Sequence, residues 1–391
     1  MPEAVIVSAV RTPIGTAYKG TLADTSALDL AQLVLEESVR RSGLPQERFD
    51  DVILAESGWG GGDIARHAAV AAGMTSVPGQ AVNRHCAGSL TAIGNAAATI
   101  RAGMDTAVVA GGVHSSSTAP SMRARVLGTA DRFEDHWMSP SHPDRPDAPN
   151  RDMSISVGWN TAQIAGLRRE QLDAWAFRSH QRAVAAIDAG VFDDEIVPVK
   201  ALQKDGSLVD FAVDEHPRRA TTLEKLASLK VLHPEIEGFS ITAGNASGIN
   251  DAAAALALTS DELARTEGLT PLATVRAWAA LGVDPYRMGM AAVDIVPRLL
   301  ARAGITQDDV TLWEINEAFA SVPVAACQVL GLGEEKVNPF GSGCSLGHPI
   351  AASGARMITT LVHELRRRGG GIGVATMCAG GGQSGGVVVE V

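Results

Sequence analysis

Cysteine is scarce in this chain: Cys86, Cys327, Cys344 and Cys378 stand at irregular spacing among 391 residues. Such thiols offer neither the CxxC spacing of a zinc site nor the density of a disulfide scaffold, and they read as reduced thiols of a cytosolic protein. No apolar run approaches the length of a bilayer-spanning helix, and Met1-Pro2-Glu3-Ala4 carries no basic segment ahead of a hydrophobic one. The expectation is a soluble, unexported chain located in the cytoplasm. Positive charge is also short, with 33 Lys and Arg against 44 Asp and Glu and a net charge of −11. That balance argues against a nucleic-acid or anionic-membrane partner. The ten histidines form no HExxH pattern, so no metal site is expected. His114 and His363 read as surface or satisfied residues.

What is present is a chain 46% hydrophobic, enough for two ordinary cores or for one built from two similar halves. The halves announce themselves. Arg41-Ser-Gly43-Leu-Pro-Gln-Glu-Arg-Phe-Asp-Asp51 resembles Arg302-Ala-Gly304-Ile-Thr-Gln-Asp-Asp309, each a helix end, a turn and the start of a strand. Ala81-Val-Asn83 then leads to a helix near Cys86, with Leu90, Ile93, Ala97 and Ile100 on one face and Gly103 as its stop. Lys336-Val-Asn338 leads to a helix after His348 with Ile350, Ile358, Leu361 and Leu365, ended by a run of arginines and Gly369. Between the halves, residues 117–246 break the pattern, with prolines at 140, 143, 146 and 149. This stretch is expected to form a lid or binding lobe.

Two reactive side-chain types sit in glycine-rich turns: His348 in Ser345-Leu346-Gly347-His348-Pro349, and Cys378 in Cys378-Ala379-Gly380-Gly381-Gly382. Glycine lets backbone approach a ligand, and imidazole can take a thiol proton or stabilise an oxyanion, so the pair points to thiol and acyl chemistry. Cys86 heads a predicted helix, where free N–H groups are expected to lower a thiol pKa and to hold an anion. It is the leading nucleophile, against the alternative of an inert buried cysteine. Asn316 ends the strand Val310-Thr-Leu-Trp-Glu-Ile and is expected to open a helix at Glu317, either as an N-cap or as the holder of a water. Ala243-Gly244-Asn245-Ala246-Ser247-Gly248 is a small-residue loop, open to an extended ligand or simply a tight turn. Arg218, Arg219, Lys225 and Lys230 face Glu224 alone, which suits a phosphorylated ligand or a solvated helix face equally. The GxSxG and GxGxxG matches around Gly380–Gly386 run into a terminal strand rather than a helix, and are set aside.

Taken in order, Val7-Ser-Ala-Val-Arg-Thr-Pro-Ile-Gly15, Cys86, Ile241-Thr-Ala-Gly-Asn-Ala-Ser-Gly-Ile-Asn-Asp251, Asn316-Glu-Ala-Phe-Ala320, Gly347-His-Pro-Ile-Ala-Ala-Ser-Gly-Ala-Arg356 and Cys378-Ala-Gly-Gly-Gly382 resemble the thiolase family along the whole chain. The resemblance implies an α/β fold of five layers, αβαβα, from two βαβαβ halves. Its units would be residues 1–116 completed by 247–268, a loop domain over coenzyme A at 117–246, and residues 269–391. It implies an acyltransferase acting on acyl-CoA, 3-ketoacyl-CoA and CoA, with coenzyme A as substrate or product, no separate cofactor, and a homodimer or homotetramer. Cys86 would be the acyl acceptor, His348 its activator and Cys378 the general acid/base. Asn316 would hold a water that completes one oxyanion hole with His348, while the N–H groups of Cys86 and Gly380 would form the other. Ala243 and Ser247 would line the pantetheine, Ala318 and Phe319 would close the pocket, and Arg218 would meet the nucleotide phosphates. Other readings are a ketoacyl-synthase-like condensing enzyme, against which Cys378 speaks, or a silent CoA-ester-binding scaffold.

The chain departs from the family at Cys86-Ala87-Gly88-Ser89, at Ser156-Val157-Gly158 in place of His-Met-Gly, and at Phe340-Gly-Ser-Gly-Cys344-Ser. These changes predict a substrate preference unlike that of the short-chain biosynthetic enzymes. Turnover of a graded 3-ketoacyl-CoA series checks this: activity on the longer members is expected, and activity confined to acetoacetyl-CoA contradicts it.

Overall fold

The computed structural model describes residues 2–58 and 62–391. Five strands of the first half are β1 (Ala4–Arg11), β2 (Asp51–Ala55), β3 (Gly79–Val82), β4 (Ala107–His114) and β5 (Asn250–Ser260), in spatial order β3-β2-β4-β5-β1. In the second half β6 (Ala273–Gly282), β7 (Val310–Ile315), β8 (Ile372–Ala379) and β9 (Gln383–Glu390) run β7-β8-β9-β6. The order is the same in both, because the counterpart of β3 is reduced to a single parallel bridge, Trp313 to Val337, beside β7. Strand sense repeats too: β2 is parallel to β4, as β7 is to β8; β2 is also parallel to β3, matching the parallel bridge beside β7, and the remaining pairs are antiparallel. The halves join where β1 meets β6 at Val5↔Thr274 and Ile6↔Ala273.

Side-chain alternation turns these sheets into layers. Ile6, Ile53, Val108 and Leu256 face inward and meet Val275, Leu312, Ala375 and Val387 of the second half through two buried helices. We term the helices α1 (Ala27–Ser42), α2 (Gly88–Arg101), α3 (Arg169–Asp188), α4 (Ser321–Leu330) and α5 (Ser353–Arg367); the central pair is α2 and α5. Val5, Val52, Val109 and Leu258's neighbour Ala257 face the other way, onto α1 and the helix Ile64–Ala71. Ala277, Trp313, Val374 and Val388 likewise face Val296–Ala303 and α4. The result is α, β, α, β, α, as the sequence implied.

The repeated helix ends have a physical cause. Gly43 closes α1 with φ +77 and Gly304 closes Val296–Ala303 with φ +68, the left-handed conformation that glycine adopts without a Cβ penalty. A single 3₁₀ turn follows each, at Gln46–Arg48 and Gln307–Asp309, before the next strand. The central helices approach closely because Gly354 lies on Leu90, where a Cβ would come within 2.6 Å of its Cγ.

Three expectations need correction. The helix expected at Glu317 begins at Ser321, because Ala318 and Ala320 give their backbone groups to another loop: the Ala318 carbonyl accepts from Ser247 N–H and Ala320 N–H donates to Asn245. Ile350 lies ahead of α5, in the turn that carries His348. The stretch between the halves also holds more regular structure than its prolines suggested, including the 20-residue α3, two hairpins and a short helix at Leu223–Ala227. It is stapled to the frame by a buried ion cluster, in which Arg11 of β1 donates to Glu195 at 2.6 Å and to Asp214 at 2.8 and 2.9 Å. Glu195 also accepts from Thr360 of α5. No described helix is long and apolar enough to cross a membrane.

Candidate active site

Cys86 stands in a tight turn between β3 and α2. Ala87 N–H donates to the Arg84 carbonyl and Gly88 N–H to that of His85, both at 3.0 Å. His85 adopts φ +45, a left-handed conformation that costs a non-glycine residue about 1–2 kcal/mol. The helix starts two residues after the thiol, at Gly88, where a Cβ would meet that of Ala55 at 2.8 Å. The lowered thiol pKa expected at a helix head is therefore not found. Burial pushes the Cys86 thiol up to about 11, although the N–H groups of Gly380 and of Cys86 itself pull the other way. At neutral pH it rests as a thiol.

Opposite it, Cys378 lies one residue from the end of β8 and is 1% exposed. Burial, and then the neighbouring Cys86, push its thiol up as well. The turn that follows holds Gly381 and Gly382 at φ +83 and +72, and packs Gly380 against the His85 ring, whose Cγ would lie 3.0 Å from an added Cβ. This brings the Gly380 N–H to the Cys86 sulfur.

His348 is held from three sides. Its N–H donates to Asn250 Oδ1 at 3.0 Å, and Gly347, at φ +107, has Asn250 atoms 2.5 Å from where a Cβ would sit. Its Nδ1 lies 2.6 Å from Ser353 Oγ, which itself donates to the Pro349 carbonyl at 2.9 Å. With the serine proton committed, Nδ1 carries the imidazole hydrogen and Nε2 keeps its lone pair. Burial, then His114 and Arg356, lower the His348 pKa to about 3. The imidazole therefore rests neutral, with Nε2 unprotonated. His114 is itself 6% exposed, which corrects its reading as a surface residue; its Nε2 pairs with Ser116 Oγ at 3.0 Å, while Nδ1 is unpartnered among the described residues, and His363 Nε2 pairs with the Ala9 carbonyl.

Asn316 closes the constellation. Its Nδ2 lies 3.4 and 3.5 Å from the two ring nitrogens of His348, so the amide faces the ring rather than bonding in its plane. Its Oδ1 is buried without a partner among the described residues, and an unpaired buried acceptor costs about 1–3 kcal/mol. The adjoining turn is zipped to the small-residue loop through Ser247 N–H to Ala318 and the Ala246–Phe319 bridge. Ala318 and Phe319 are almost fully buried, Ser247 is half-buried and Ala243 is exposed. Gly158 lies over Phe319, whose Cδ1 would be 2.9 Å from an added Gly158 Cβ, and Val157 belongs to the same buried cluster. Arg218 is exposed, away from the thiols, and its N–H donates to His180 Nδ1.

Cys86, Cys378, Gly380, His348 and Asn316 converge, and Ser247, Ala318 and Phe319 adjoin them. Residues that the sequence did not single out are Asn250, Ser353, Glu317 and Ser89. Asn250 and Ser353 stand within motifs already noted, but their partners are remote in sequence or depend on a turn that no periodicity signals. Ser89 explains one departure: its Oγ accepts the Ala355 N–H at 2.9 Å near the start of α5, so it satisfies an otherwise free donor of the opposite central helix.

Two family models match the chain, the N-terminal domain of thiolase over residues 4–262 and the C-terminal domain over 269–391. The chain belongs to the thiolase family. It is 40% identical, over the full length of both chains, to the 3-oxoadipyl-CoA/3-oxo-5,6-dehydrosuberyl-CoA thiolase of Escherichia coli. It is 39% identical to an acetyl-CoA acetyltransferase of the same organism, with 100% of this chain and 99% of the relative covered. The Bacillus anthracis acetyl-CoA acetyltransferase structure superposes with a TM-score of 0.92 at 38% identity, covering 100% of this chain and 99% of that one.

A neutral thiol beside a neutral imidazole has a kinetic signature. Iodoacetamide alkylation of Cys86, followed by peptide mass spectrometry, is expected to rise roughly tenfold per pH unit between about pH 7 and 9, tracking the thiolate fraction. A plateau across that range would instead reveal a preformed thiolate–imidazolium pair.

Proposed function

We propose that this chain catalyses CoA-dependent thiolysis of 3-ketoacyl-CoA, and the reverse Claisen condensation of an acyl-CoA with acetyl-CoA, by a ping-pong route through acyl-Cys86. The observation that carries the reading is the convergence of the half-buried Cys86 thiol and the buried Cys378 thiol on the Gly380 turn, beside a neutral His348 whose Nε2 is unprotonated. One thiol forms the covalent bond while the other moves a proton, and neither role needs a resting charge.

In thiolysis, the Cys86 proton passes to His348 Nε2 and the sulfur attacks the 3-keto carbon. The oxyanion is met by the N–H groups of Cys86 and Gly380. The bond between C2 and C3 breaks, its electron pair leaves as the acetyl-CoA enolate, and Cys378 gives that carbon its proton. The enolate oxygen faces His348 and a water held by Asn316, whose buried Oδ1 lacks a protein partner. Incoming CoA gives its proton to Cys378, its sulfur takes the acyl group, and the departing Cys86 sulfur recovers its proton from His348. Condensation is the same sequence reversed.

Residues 117–246 form the loop domain over CoA in this reading, between a first half of 1–116 completed by 247–268 and a second half of 269–391. Ala243 and Ser247 line the pantetheine, Ala318 and Phe319 close the pocket and Arg218 meets the phosphates. Coenzyme A is substrate or product, with no separate cofactor. The chain works in the cytoplasm as a homodimer or homotetramer. The relatives' names span acetyl and 3-oxoadipyl substrates, and Val157 beside Phe319 is where this chain's own acyl preference is set.

The test uses reduced protein, a pool of acyl-CoAs and 3-ketoacyl-CoAs of graded length, a rapid quench and peptide mass spectrometry. An acyl group on Cys86 that vanishes in Cys86→Ser is expected. CoA-ester binding with no adduct would contradict the covalent route.

A further inference from the structure

The mechanism makes no use of His85, and the reasons that explain its neighbours do not explain it. Between β3 and α2 the chain reads Asn83-Arg84-His85-Cys86-Ala87-Gly88. Asn83 Oδ1 accepts the His85 N–H at 2.8 Å, Arg84 reaches Thr91 of α2 at 3.1 Å, and Gly88 lets the helix start against Ala55. His85 stands at φ +45, a left-handed conformation that glycine alone takes without a Cβ penalty. Its ring nitrogens make no hydrogen bond among the described residues, and burial is the one cause lowering its pKa, so the half-buried ring rests neutral. Neither ion pairing nor hydrogen bonding accounts for a histidine here.

What the ring does touch is Gly380. The three atoms nearest to where a Gly380 Cβ would sit all belong to His85: Cγ at 3.0 Å, Cδ2 at 3.2 Å and Cβ at 3.4 Å. Gly380 opens a run of three glycines, the residue type with the greatest backbone freedom. The rest of that run is fixed from elsewhere. An added Cβ would come within 2.9 Å of the Ser141 carbonyl oxygen at Gly381 and within 2.5 Å of the Val283 carbonyl oxygen at Gly382, and Val283 N–H donates to the Gly382 carbonyl at 2.7 Å. Gln383 Nε2 donates to the Gly380 carbonyl at 3.0 Å. The Gly380 N–H, which meets the Cys86 sulfur, has the His85 ring as its wall. Backbone strain persists where packing over-determines it, and it collects at active sites. Here the left-handed backbone and the seat of the ring are one arrangement, because φ sets the direction of Cβ.

We propose that His85 is a positioning residue: its strained backbone holds the imidazole as the wall that keeps the Gly380 N–H on the Cys86 sulfur and on the oxyanion formed beside it. The proposal rests on the acyl-Cys86 reading above. The contact is one of shape, so another ring of similar size serves and a missing side chain does not. Without the wall the glycine run samples other conformations and the donor is no longer preorganised; losing one such donor lowers turnover by about 10²–10³-fold. The same hole serves the formation and the breakdown of acyl-Cys86, so both half-reactions slow together. Thioester binding is spared, because the donor acts on charge that develops in the transition state.

Rapid-quench acylation of Cys86, with the acyl-CoA that labels wild type best, is measured alongside thermal unfolding in His85→Gly, His85→Ala and His85→Phe. His85→Gly carries the decisive contrast, since glycine relieves the left-handed backbone while removing the wall. It is expected to unfold at the wild-type temperature or above, yet to acylate Cys86 about 10²-fold more slowly at an unchanged half-saturating concentration. His85→Ala is expected to be as slow, and His85→Phe to recover most of the rate. A purely structural residue moves stability and rate together, so a His85→Gly protein both slow and thermally weakened would overturn the proposal. Acylation of His85→Gly at the wild-type rate would overturn it too, as would a His85→Phe as slow as His85→Gly, which assigns the effect to the imidazole's polarity. Each of these outcomes leaves acyl-Cys86 standing. A wild type that takes no acyl group overturns both.

Discussion

One buried carboxylate fixes the site. Glu317 is 1% exposed and accepts four hydrogen bonds: Oε1 from Trp175 Nε1 at 2.8 Å and Asn338 Nδ2 at 2.9 Å, Oε2 from Ser179 Oγ at 2.6 Å and Cys344 N–H at 3.2 Å. Burying such a group is unfavourable unless it is well supplied with donors, and the loss of partners from a buried charged group costs about 3–5 kcal/mol. Here the donors come from α3, from Asn338, which follows the Val337 bridge to β7, and from the loop ahead of His348. The carboxylate therefore ties three stretches to the turn that begins with Asn316, and the amide's place beside the His348 ring depends on it. Gly343 is part of the same fit, since a Cβ there would press on the Glu317 carbonyl at 2.5 Å.

The duplicated frame supplies what a single half lacks. The first half contributes Cys86 at the head of α2, and the second contributes His348 ahead of α5 and Cys378 at the end of β8. The central helices bring those ends to one place, and Ser89 links them by accepting from Ala355. Burial then sets the chemistry. It disfavours charge on both thiols and on the imidazole, so the resting site is neutral and charge develops only as bonds change, where fixed N–H dipoles can meet it.

Much of this was legible in the sequence. The two halves showed in repeated helix ends, because Gly43 and Gly304 perform the same left-handed turn, and the central helices showed in their apolar period. His348 and Cys378 drew attention because each sits in a short glycine-rich turn, and Cys86 and Asn316 because each follows a strand. What sequence did not reveal depends on distance. The Arg11 cluster joins residues 184 and 203 positions apart, and α3 is amphipathic only with respect to a surface supplied by other segments. The thiol's direction of shift was misjudged because the helix dipole is local and readable, whereas the burial that outweighs it is a property of the assembled layers. The false helix start at Glu317 has a similar origin, since its backbone groups are spent on the Asn245–Ser247 loop.

The central claim is that one pocket divides two jobs between two thiols. Acetyl-CoA incubated with the protein in deuterated water, followed by mass analysis of both ligand and Cys86 peptide, tests it directly. The account predicts that wild type places deuterium in the acetyl methyl group, and that Cys378→Ser loses this exchange yet still carries acetyl on Cys86. Undiminished exchange in Cys378→Ser would contradict the division.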